Sequence, residues 1–136
     1  MGLSYQFILT LLLSDAFDIS EGAHSKLYFD LEFNTKHNKD INGLEMTSVL
    51  IDIVNRELSK YFGIKNTIKD VLILDSSYQG KFSSHLIFFK TVFKDNSECK
   101  KFVNLLINSL TDSEKSLFTI KAKNGERLFI DTSGMK

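Results

Sequence analysis

The sequence predicts an α+β domain in which two helices cover one face of a sheet. Three observations predict this class: short segments of alternating apolar residues, two longer segments with apolar residues at helical spacing, and the order in which they follow one another. The first six elements run strand, helix, strand, strand, helix, strand, which is typical of a ferredoxin-like or RRM-like β-α-β-β-α-β sandwich. A last strand adds a C-terminal hairpin. The 136 residues suffice for one compact domain.

The first strand is predicted from the alternating segment KLYFDLEFN, residues 26–34. A polar loop follows, and the next segment, LEMTSVLIDIVNRELSKYF, has apolar residues at helical spacing. Gly63 follows it as a helix C-terminal glycine should, so a helix is predicted to end there. The apolar faces of the strand and of the helix are Leu27, Phe29, Leu31 and Phe33, and Met46, Val49, Leu50, Ile53, Val54, Leu58 and Tyr61.

The second half of the chain repeats this alternation of strand and helix. The nearly continuous apolar run DVLILDSS predicts a buried strand, and KFSSHLIFFKTVF predicts another. Helical spacing returns in SECKKFVNLLINSL, through Phe102, Leu105, Leu106 and Leu110. The segment SLFTIKAKNGERLFID is predicted to form a hairpin, with Asn124 and Gly125 in its tight turn.

The composition is ordinary for a soluble globular protein, with 43% apolar and 25% charged residues. The 17 basic and 17 acidic side chains cancel, which excludes a global attraction to nucleic acid or anionic lipid and leaves only local patches. Cys99 is the one cysteine. A single cysteine excludes an internal disulfide framework and fits a reducing compartment. Cys99 also has no His or Cys partner at the spacing of zinc ligands.

The N-terminal segment MGLSYQFILTLLLSDAF contains an apolar run too short to span a bilayer. It lacks the basic region of a secretory signal, and Gln6 occupies the Ser/Thr position of a myristoylation signal. A packed or frayed starting helix is therefore expected there, with no signal peptide and no membrane partner.

Two carboxylates, Asp30 and Glu32, share the polar face of the first strand. Side chains at i and i+2 point the same way with Cα atoms roughly 6.5–7 Å apart, and two ionised carboxylates at that range repel by roughly 2–3 kcal/mol at an effective dielectric near 20. The only nearby charge in the sequence that offsets this repulsion is Lys26. A divalent cation such as Mg²⁺ or Mn²⁺ would offset it too. The alternative is two solvated acids on an exposed face.

A second polar row lies on the segment GKFSSHLIF, where Lys81, Ser83 and His85 share a face. A lysine, a hydroxyl and an imidazole are apt donors to phosphate oxygens. The pair Ser83 and His85 also raises the alternative of nucleophilic catalysis, but no acid is evidently placed to orient His85. A purely structural histidine is a further alternative.

A third acid, Asp131, closes the last strand and shares its face with Arg127 and Phe129. Alone it would be read as a turn or capping residue. Three acids together with the row of Lys, Ser and His indicate two-metal phosphoryl transfer, because carboxylates hold the ions and the donors bind the phosphates.

The segments EGAHSKLYFDLEFN, VLILDSSYQGKFSSHLIF, FKDN and NGERLFID resemble the catalytic core of the eukaryotic primase-polymerase (PrimPol) family, within the archaeo-eukaryotic primase superfamily. The resemblance runs from about Ala16 to Asp131. It implies a division of the chain into an atypical segment, 1–15, and a partial catalytic domain, 16–136. The RRM-like catalytic sheet of that superfamily agrees with the predicted order of elements.

The resemblance implies roles for the residues of these motifs. Asp30 and Glu32 match the family's D-x-E motif and Asp131 its third acid, so they are implied ligands of two Mn²⁺ or Mg²⁺ ions. Ser83 and His85 match its S-x-H motif and, with Lys81, are implied contacts to the triphosphate of the incoming nucleotide.

The implied activity is DNA-template-directed synthesis from dNTPs or NTPs, on a primer or an initiating nucleotide, in replication restart and DNA damage tolerance. The resemblance also implies a nuclear and mitochondrial location. Template-primer DNA is the implied partner, with single-stranded-DNA-binding proteins reached through regions that this chain lacks.

The chain also departs from the family pattern. The basic run after the third acid, the N-terminal module and the C-terminal zinc-binding region have no counterpart, and Ser84 stands where Arg is common. Two alternatives therefore accompany an active core: a fragment that binds Mn²⁺ and nucleotide without incorporation, and a non-catalytic RRM-type nucleic-acid-binding module.

Overall fold

Helices and two antiparallel sheets make up the part of the chain that the structure describes. This computed structural model describes residues 24–122, 125–128 and 130–131, with the last two described by their backbone. In chain order the elements are β1 (Ser25–Asn34), α1 (Gly43–Phe62), a 3₁₀ turn (Ile68–Asp70), β2 (Val71–Asp75), β3 (Lys81–Phe93), α2 (Asn96–Ser109), α3 (Asp112–Phe118), β4 (Thr119–Ala122), β5 (Gly125–Leu128) and β6 (Ile130–Asp131).

The main sheet has four strands in the order β2-β3-β1-β6, and β4 and β5 form a second sheet. All of these strand pairs are antiparallel. The predicted α+β class is confirmed, and the arrangement is compatible with a ferredoxin-like fold. The sixth predicted element differs, because β4 pairs with β5 outside the main sheet.

The helix α3 was not predicted; its last three residues, 116–118, overlap the start of the segment that was expected to form a hairpin. Its N-terminus is fixed by a capping box, in which Thr111 Oγ1 accepts from the Glu114 N–H at 3.1 Å and the Glu114 carboxylate accepts from the Thr111 N–H at 2.9 Å. These two bonds satisfy donors that an isolated helix end leaves open. The strand therefore starts only at Thr119.

The core lies between the main sheet and the helices. Alternate residues of β1 enter it, as predicted, and meet apolar residues of α1, α2, β3 and the segment from Phe118 to Ile120. The fully buried large side chains are Leu27, Phe29, Leu31, Leu50, Ile51, Leu58, Leu86, Phe88, Leu106, Phe118 and Ile120. Because one face of β1 is committed to this core, its other face carries the polar residues.

The predicted helix after the polar loop is confirmed as α1. Asn42 caps it, since its Oδ1 accepts from the Glu45 N–H at 3.1 Å. Gly63 ends it with φ 66°, in the left-handed region, and its N–H donates to the Ser59 carbonyl at 3.0 Å. These caps fix the residues at which α1 begins and ends.

Gly43 permits a close approach between α1 and the ring of Phe82, which stacks on Phe33 with centroids 5.0 Å apart. A Cβ at position 43 would overlap that ring, coming within 2.8 Å of its Cγ. We expect Gly43→Ala to lower the free energy of unfolding by about 1–3 kcal/mol, because a well-packed contact tolerates no added methyl group. Urea unfolding measures the loss. Leu44→Ala, at a side chain 71% exposed, should change stability by less than about 0.5 kcal/mol; equal effects would contradict the prediction.

The predicted strand DVLILDSS is present as β2, but its predicted burial is wrong. Only Val71 is buried, whereas Leu72 and Ile73 are each 43% exposed. The reason is the sheet order, which puts β2 at the edge. An apolar run could not distinguish a central strand from an edge strand.

Cys99 is buried on α2, with 1% of its surface exposed and Sγ 3.9 Å from the Lys26 carbonyl oxygen. Burial raises the pKa of its thiol to about 12. The group is therefore a protonated core side chain near neutral pH.

Several sequence predictions fall outside the described residues: the starting helix near the N-terminus, Asn124 of the hairpin turn, and Phe129. Gly125 of that turn is described and has φ 122°, a value that favours glycine. The division into 1–15 and 16–136 stays a prediction. Among the described helices, none is both long and apolar enough to cross a membrane.

Candidate functional site

The two polar rows predicted on separate strands lie side by side. In the pairing of β1 with β3, Asp30 is opposite His85, Glu32 is opposite Ser83, and the register runs on to Asn34 opposite Lys81. Directly opposite residues of an antiparallel pair project to the same face. The register thus joins both rows into one polar surface, which we call the carboxylate-histidine face: Asp30, Glu32, Lys81, Ser83 and His85.

The carboxylate of Glu32 pairs with Lys81, with Nζ and Oε2 3.1 Å apart. The side chain of Lys81 is 39% exposed and that of Glu32 is 33% exposed, so the pair contributes at most about 1 kcal/mol to stability. Lys26 was the one charge expected to offset the repulsion between the acids. The structure pairs Glu32 with Lys81, which lies 49 positions away in the sequence.

The imidazole of His85 faces Asp30, with Nδ1 and Oδ1 3.7 Å apart. No acid near His85 is evident in the sequence, because Asp30 comes from the neighbouring strand. His85 is 2% exposed and Asp30 9%, so Asp30 is not the solvated acid of the alternative interpretation.

Burial lowers the pKa of His85 below its usual value, and the negative charges of Asp30 and then Glu32 oppose that shift without reversing it. The imidazole is therefore neutral near pH 7 and can donate one N–H hydrogen bond. The hydroxyl of Ser83 bonds Ser76 Oγ at 3.0 Å. This bond differs from the Ser-His hydrogen bond that nucleophilic catalysis requires.

The turn after β2 supports Ser83 and was missed by the sequence analysis. Ser77 Oγ accepts from the Ser83 N–H at 3.0 Å and donates to the Ser83 carbonyl at 3.2 Å. Asp75 Oδ1 in turn accepts from the Ser77 N–H at 2.8 Å, and its hydrogen bonds to the Ser77 side chain and backbone lower its carboxyl pKa. The string Asp-Ser-Ser is typical of such a turn, which is the signal that could have found it.

A cavity of about 410 Å³ opens beside Glu32 and Lys81. Its walls are the end of β1 with the loop after it, the turn before β3, and Arg127 of β5: Glu32, Phe33, Asn34, Lys36, Tyr78, Gln79, Gly80, Lys81 and Arg127. Three of these residues are cationic and one is acidic. Lys36 and Tyr78 were not predicted as site residues, because they lie in loops that have no periodicity.

Asp131 pairs with Asp30 in the register of β1 with β6, and Ile130 pairs with Leu31. The fourth strand thus brings the backbone of the third predicted acid beside the first. The structure describes that residue by its backbone, so its expected part in a metal site stays a prediction.

The donor set fits a hard divalent cation. Asp30 and Glu32 supply two carboxylates on one face, and Mg²⁺ and Mn²⁺ favour such oxygen ligands. Among the residues whose side chains are described, no group of three His, Cys, Asp or Glu is close enough to hold a metal ion. A complete set would need a further ligand, and Asp131 is the candidate.

Comparison with curated proteins finds several relatives with one name. The DNA-directed primase/polymerase protein of Danio rerio is 46% identical over 101 residues, which are 72% of this chain and 19% of that protein. The Homo sapiens protein of the same name is 42% identical over 96 residues, 69% of this chain and 17% of its own length. The Bos taurus protein is 37% identical over 118 residues, 85% of this chain and 20% of its own.

The chain spans about a fifth of the length of these relatives, and no family model matches it. Identity of this level over two thirds or more of the chain agrees with the family resemblance of the sequence. Over the residues that align, the chain belongs to the DNA-directed primase/polymerase (PrimPol) family.

Proposed function

We propose that this chain forms the nucleotide-binding and metal-binding part of a DNA-directed primase-polymerase core. The observation that supports the proposal is the register that sets Asp30 and Glu32 directly opposite His85 and Ser83. It brings metal-binding carboxylates and phosphate donors onto one face. Neither a structural histidine nor two solvated acids would require that arrangement.

Asp30, Glu32 and Asp131 are the residues that would hold divalent cations. Such ions, when bound, stabilise negative charge on the attacking and leaving oxygens of a phosphoryl transfer. Asp30 is the least exposed of the described carboxylates on this face. Its charge is therefore poorly screened, which strengthens its attraction for a cation.

Lys81, Ser83 and His85 would bind the triphosphate of the incoming nucleotide. Lys81 supplies a charged donor that is 39% exposed and can leave its partner Glu32. Ser83 would supply a hydroxyl hydrogen bond from a buried position, and the neutral His85, whose Nδ1 faces Asp30, would supply its one N–H from Nε2. Buried donors lose little entropy on binding because their neighbours already fix them.

The family membership suggests the wider role. We propose that the whole protein uses dNTPs or NTPs on a DNA template-primer in replication restart and DNA damage tolerance. A nuclear and mitochondrial location, and single-stranded-DNA-binding proteins as partners, belong to the same proposal. The chain covers about a fifth of its relatives, so binding without incorporation is the second candidate.

The alternative of an RRM-type nucleic-acid module finds less support. Such modules stack bases on aromatic side chains of the open sheet face. Here the central positions of that face in β1 and β3 are Asp30, Glu32, Ser83 and His85. Two carboxylates would also repel a nucleic-acid backbone.

The site can be tested by thermal unfolding of the chain with Mn²⁺ and a dNTP. A ligand present at 100 times its dissociation constant adds about 2.7 kcal/mol to the stability of the folded state, which raises the unfolding midpoint by several degrees. We expect the double variant Asp30→Ala/Glu32→Ala to lose that shift.

The matched control is Asp40→Ala/Asp52→Ala, which removes two exposed carboxylates from the loop before α1 and from α1 itself. It should retain the whole shift. If both double variants responded to Mn²⁺ and dNTP as the unaltered chain does, the carboxylate-histidine face would not be the binding site.

A further inference from the structure

Arg127 connects the second sheet to the strand that carries both predicted metal-binding acids. It lies on β5, and its Nη2 donates to the backbone carbonyl of Glu32 at 2.6 Å. Its Nη1 donates to the carbonyl of the neighbouring Leu128 at 3.0 Å. The guanidinium thus links the carbonyls of Glu32 and Leu128, and Arg127 itself lies 95 positions from Glu32.

The bond is made where the described pairing between β1 and β6 stops. That pairing covers Asp30 and Leu31, and Glu32 is the next residue of β1. The small sheet also contacts the loop after β1, because Lys121 donates to Asn38 Oδ1 at 2.8 Å and Asn38 donates back to the Lys121 carbonyl at 3.0 Å. Together these contacts brace the segment from Glu32 to Asn38 at both ends.

The choice of acceptor matters for the chemistry. Arg127 binds the main-chain carbonyl of Glu32, whereas the carboxylate of Glu32 pairs with Lys81. A direct pairing of guanidinium and carboxylate would compete with a metal ion for the same oxygens. The observed bond fixes the backbone of Glu32. The carboxylate of Glu32 can then exchange its contact with Lys81 for a contact with a metal ion.

We propose that Arg127 is a positioning residue, which fixes the carboxyl-terminal end of β1 and thereby the Glu32 carboxylate for metal binding. The inference rests on the proposed function, and it adds a residue outside the D-x-E and S-x-H motifs. A guanidinium suits the task because its planar, permanently charged donors hold two carbonyls at once.

The two possible roles of Arg127, as a positioning residue and as a nearby cation, predict opposite changes in Mn²⁺ affinity when the side chain is removed. If the guanidinium acted only as a nearby cation, its removal would strengthen Mn²⁺ binding, because a repulsive charge would be gone. If it positions Glu32, its removal weakens Mn²⁺ binding. Lys36 lines the same cavity as Arg127, and its described hydrogen bond involves only its own backbone N–H. Lys36→Met is therefore the matched control for charge.

The experiment measures Mn²⁺ affinity from the paramagnetic resonance of free Mn²⁺, and hydrogen exchange of the segment 31–36, in the full chain. We expect Arg127→Met to weaken Mn²⁺ binding at least fivefold and to speed exchange of that segment at least fivefold, with α1 unchanged. Lys36→Met should leave exchange unchanged and Mn²⁺ affinity equal or tighter. Arg127→Lys retains the charge and one donor group, so it should recover part of the Mn²⁺ affinity and part of the protection from exchange. It replaces Arg127→Met in the experiment if that variant fails to fold.

Unchanged exchange in Arg127→Met overturns the inference, whatever happens to Mn²⁺ affinity. Tighter Mn²⁺ binding in that variant also overturns it and assigns Arg127 the role of a cation alone. Absence of Mn²⁺ binding in the unaltered chain would instead sink the proposed function, and the exchange data would still decide whether Arg127 fixes β1.

Discussion

Replacement of Asp30 by Asn is expected to lower nucleotide incorporation by the chain at least about 10³-fold, the equivalent of about 4 kcal/mol in the barrier. The variant keeps the shape of the side chain but removes a charge that lies 9% exposed on the carboxylate-histidine face. It also removes the anion opposite His85, 3.7 Å from Nδ1. Primer extension with Mn²⁺ and dNTPs measures the effect.

Asp52→Asn is the control for this prediction, since Asp52 is an exposed carboxylate on α1. It should leave incorporation within about twofold, because exposed charges far from a site are screened. Undiminished incorporation in Asp30→Asn would refute the assignment of the metal-binding acids. If the unaltered chain bound Mn²⁺ and dNTP yet incorporated nothing, the binding-only candidate would replace that of an active core.

The elements with long, regular periodicity could be predicted from the sequence. The helix α1 and the strand β1 are where the apolar spacing indicates them, because a buried apolar face leaves a period of 3.6 or 2 in the chain. The strand β3 is also where it was predicted, although both of its faces are buried from Ser83 to Phe88. The same periodicity separates Asp30 and Glu32 from the core face. Residue types and spacing thus predicted which side chains share a face.

The sequence does not predict in the same way which strands pair with each other in the sheet. The contact between Asp30 and His85 joins residues 55 positions apart, and no local pattern encodes which strands pair. The exposure of β2 has the same origin, since an edge strand and a central strand can have equal apolar content. The Arg127–Glu32 contact likewise depends on long-range pairing, since 95 positions separate the two residues.

One missed element did have a local signal. The string Thr-Asp-Ser-Glu at residues 111–114 is a capping box, yet the apolar residues after it favoured a strand prediction. Its two reciprocal hydrogen bonds fix the first turn of α3 before the strand can begin. These polar hydrogen bonds therefore determine that the segment starts as a helix. The helix has only seven residues, which are too few to show a clear apolar period.

Phe88→Ala is expected to have the largest effect on stability, a loss of about 3–5 kcal/mol in the free energy of unfolding. Phe88 has no exposed surface and lies in the central strand β3, opposite Leu27 of β1 and Val71 of β2. Its ring meets Phe29 edge-on, with centroids 5.8 Å apart at 76°. Truncation leaves a cavity that strands paired on both sides cannot collapse to fill.

The unfolding entropy of a domain of this size converts that loss into a drop of about 10–18 °C in the unfolding midpoint. The loss is also a large part of the about 5–15 kcal/mol of total stability that such a domain has. Phe89→Ala removes the same atoms from the next residue, which is 37% exposed, and should cost less than about 2 kcal/mol. Calorimetry of the two variants measures both losses. Equal losses would mean that the sheet face packed against the helices is not the main source of stability. We do not expect equal losses, because they would require the carboxylate-histidine face to supply a comparable part of the free energy of folding. The partly exposed ion pair of Lys81 and Glu32 on that face is too weak to do so.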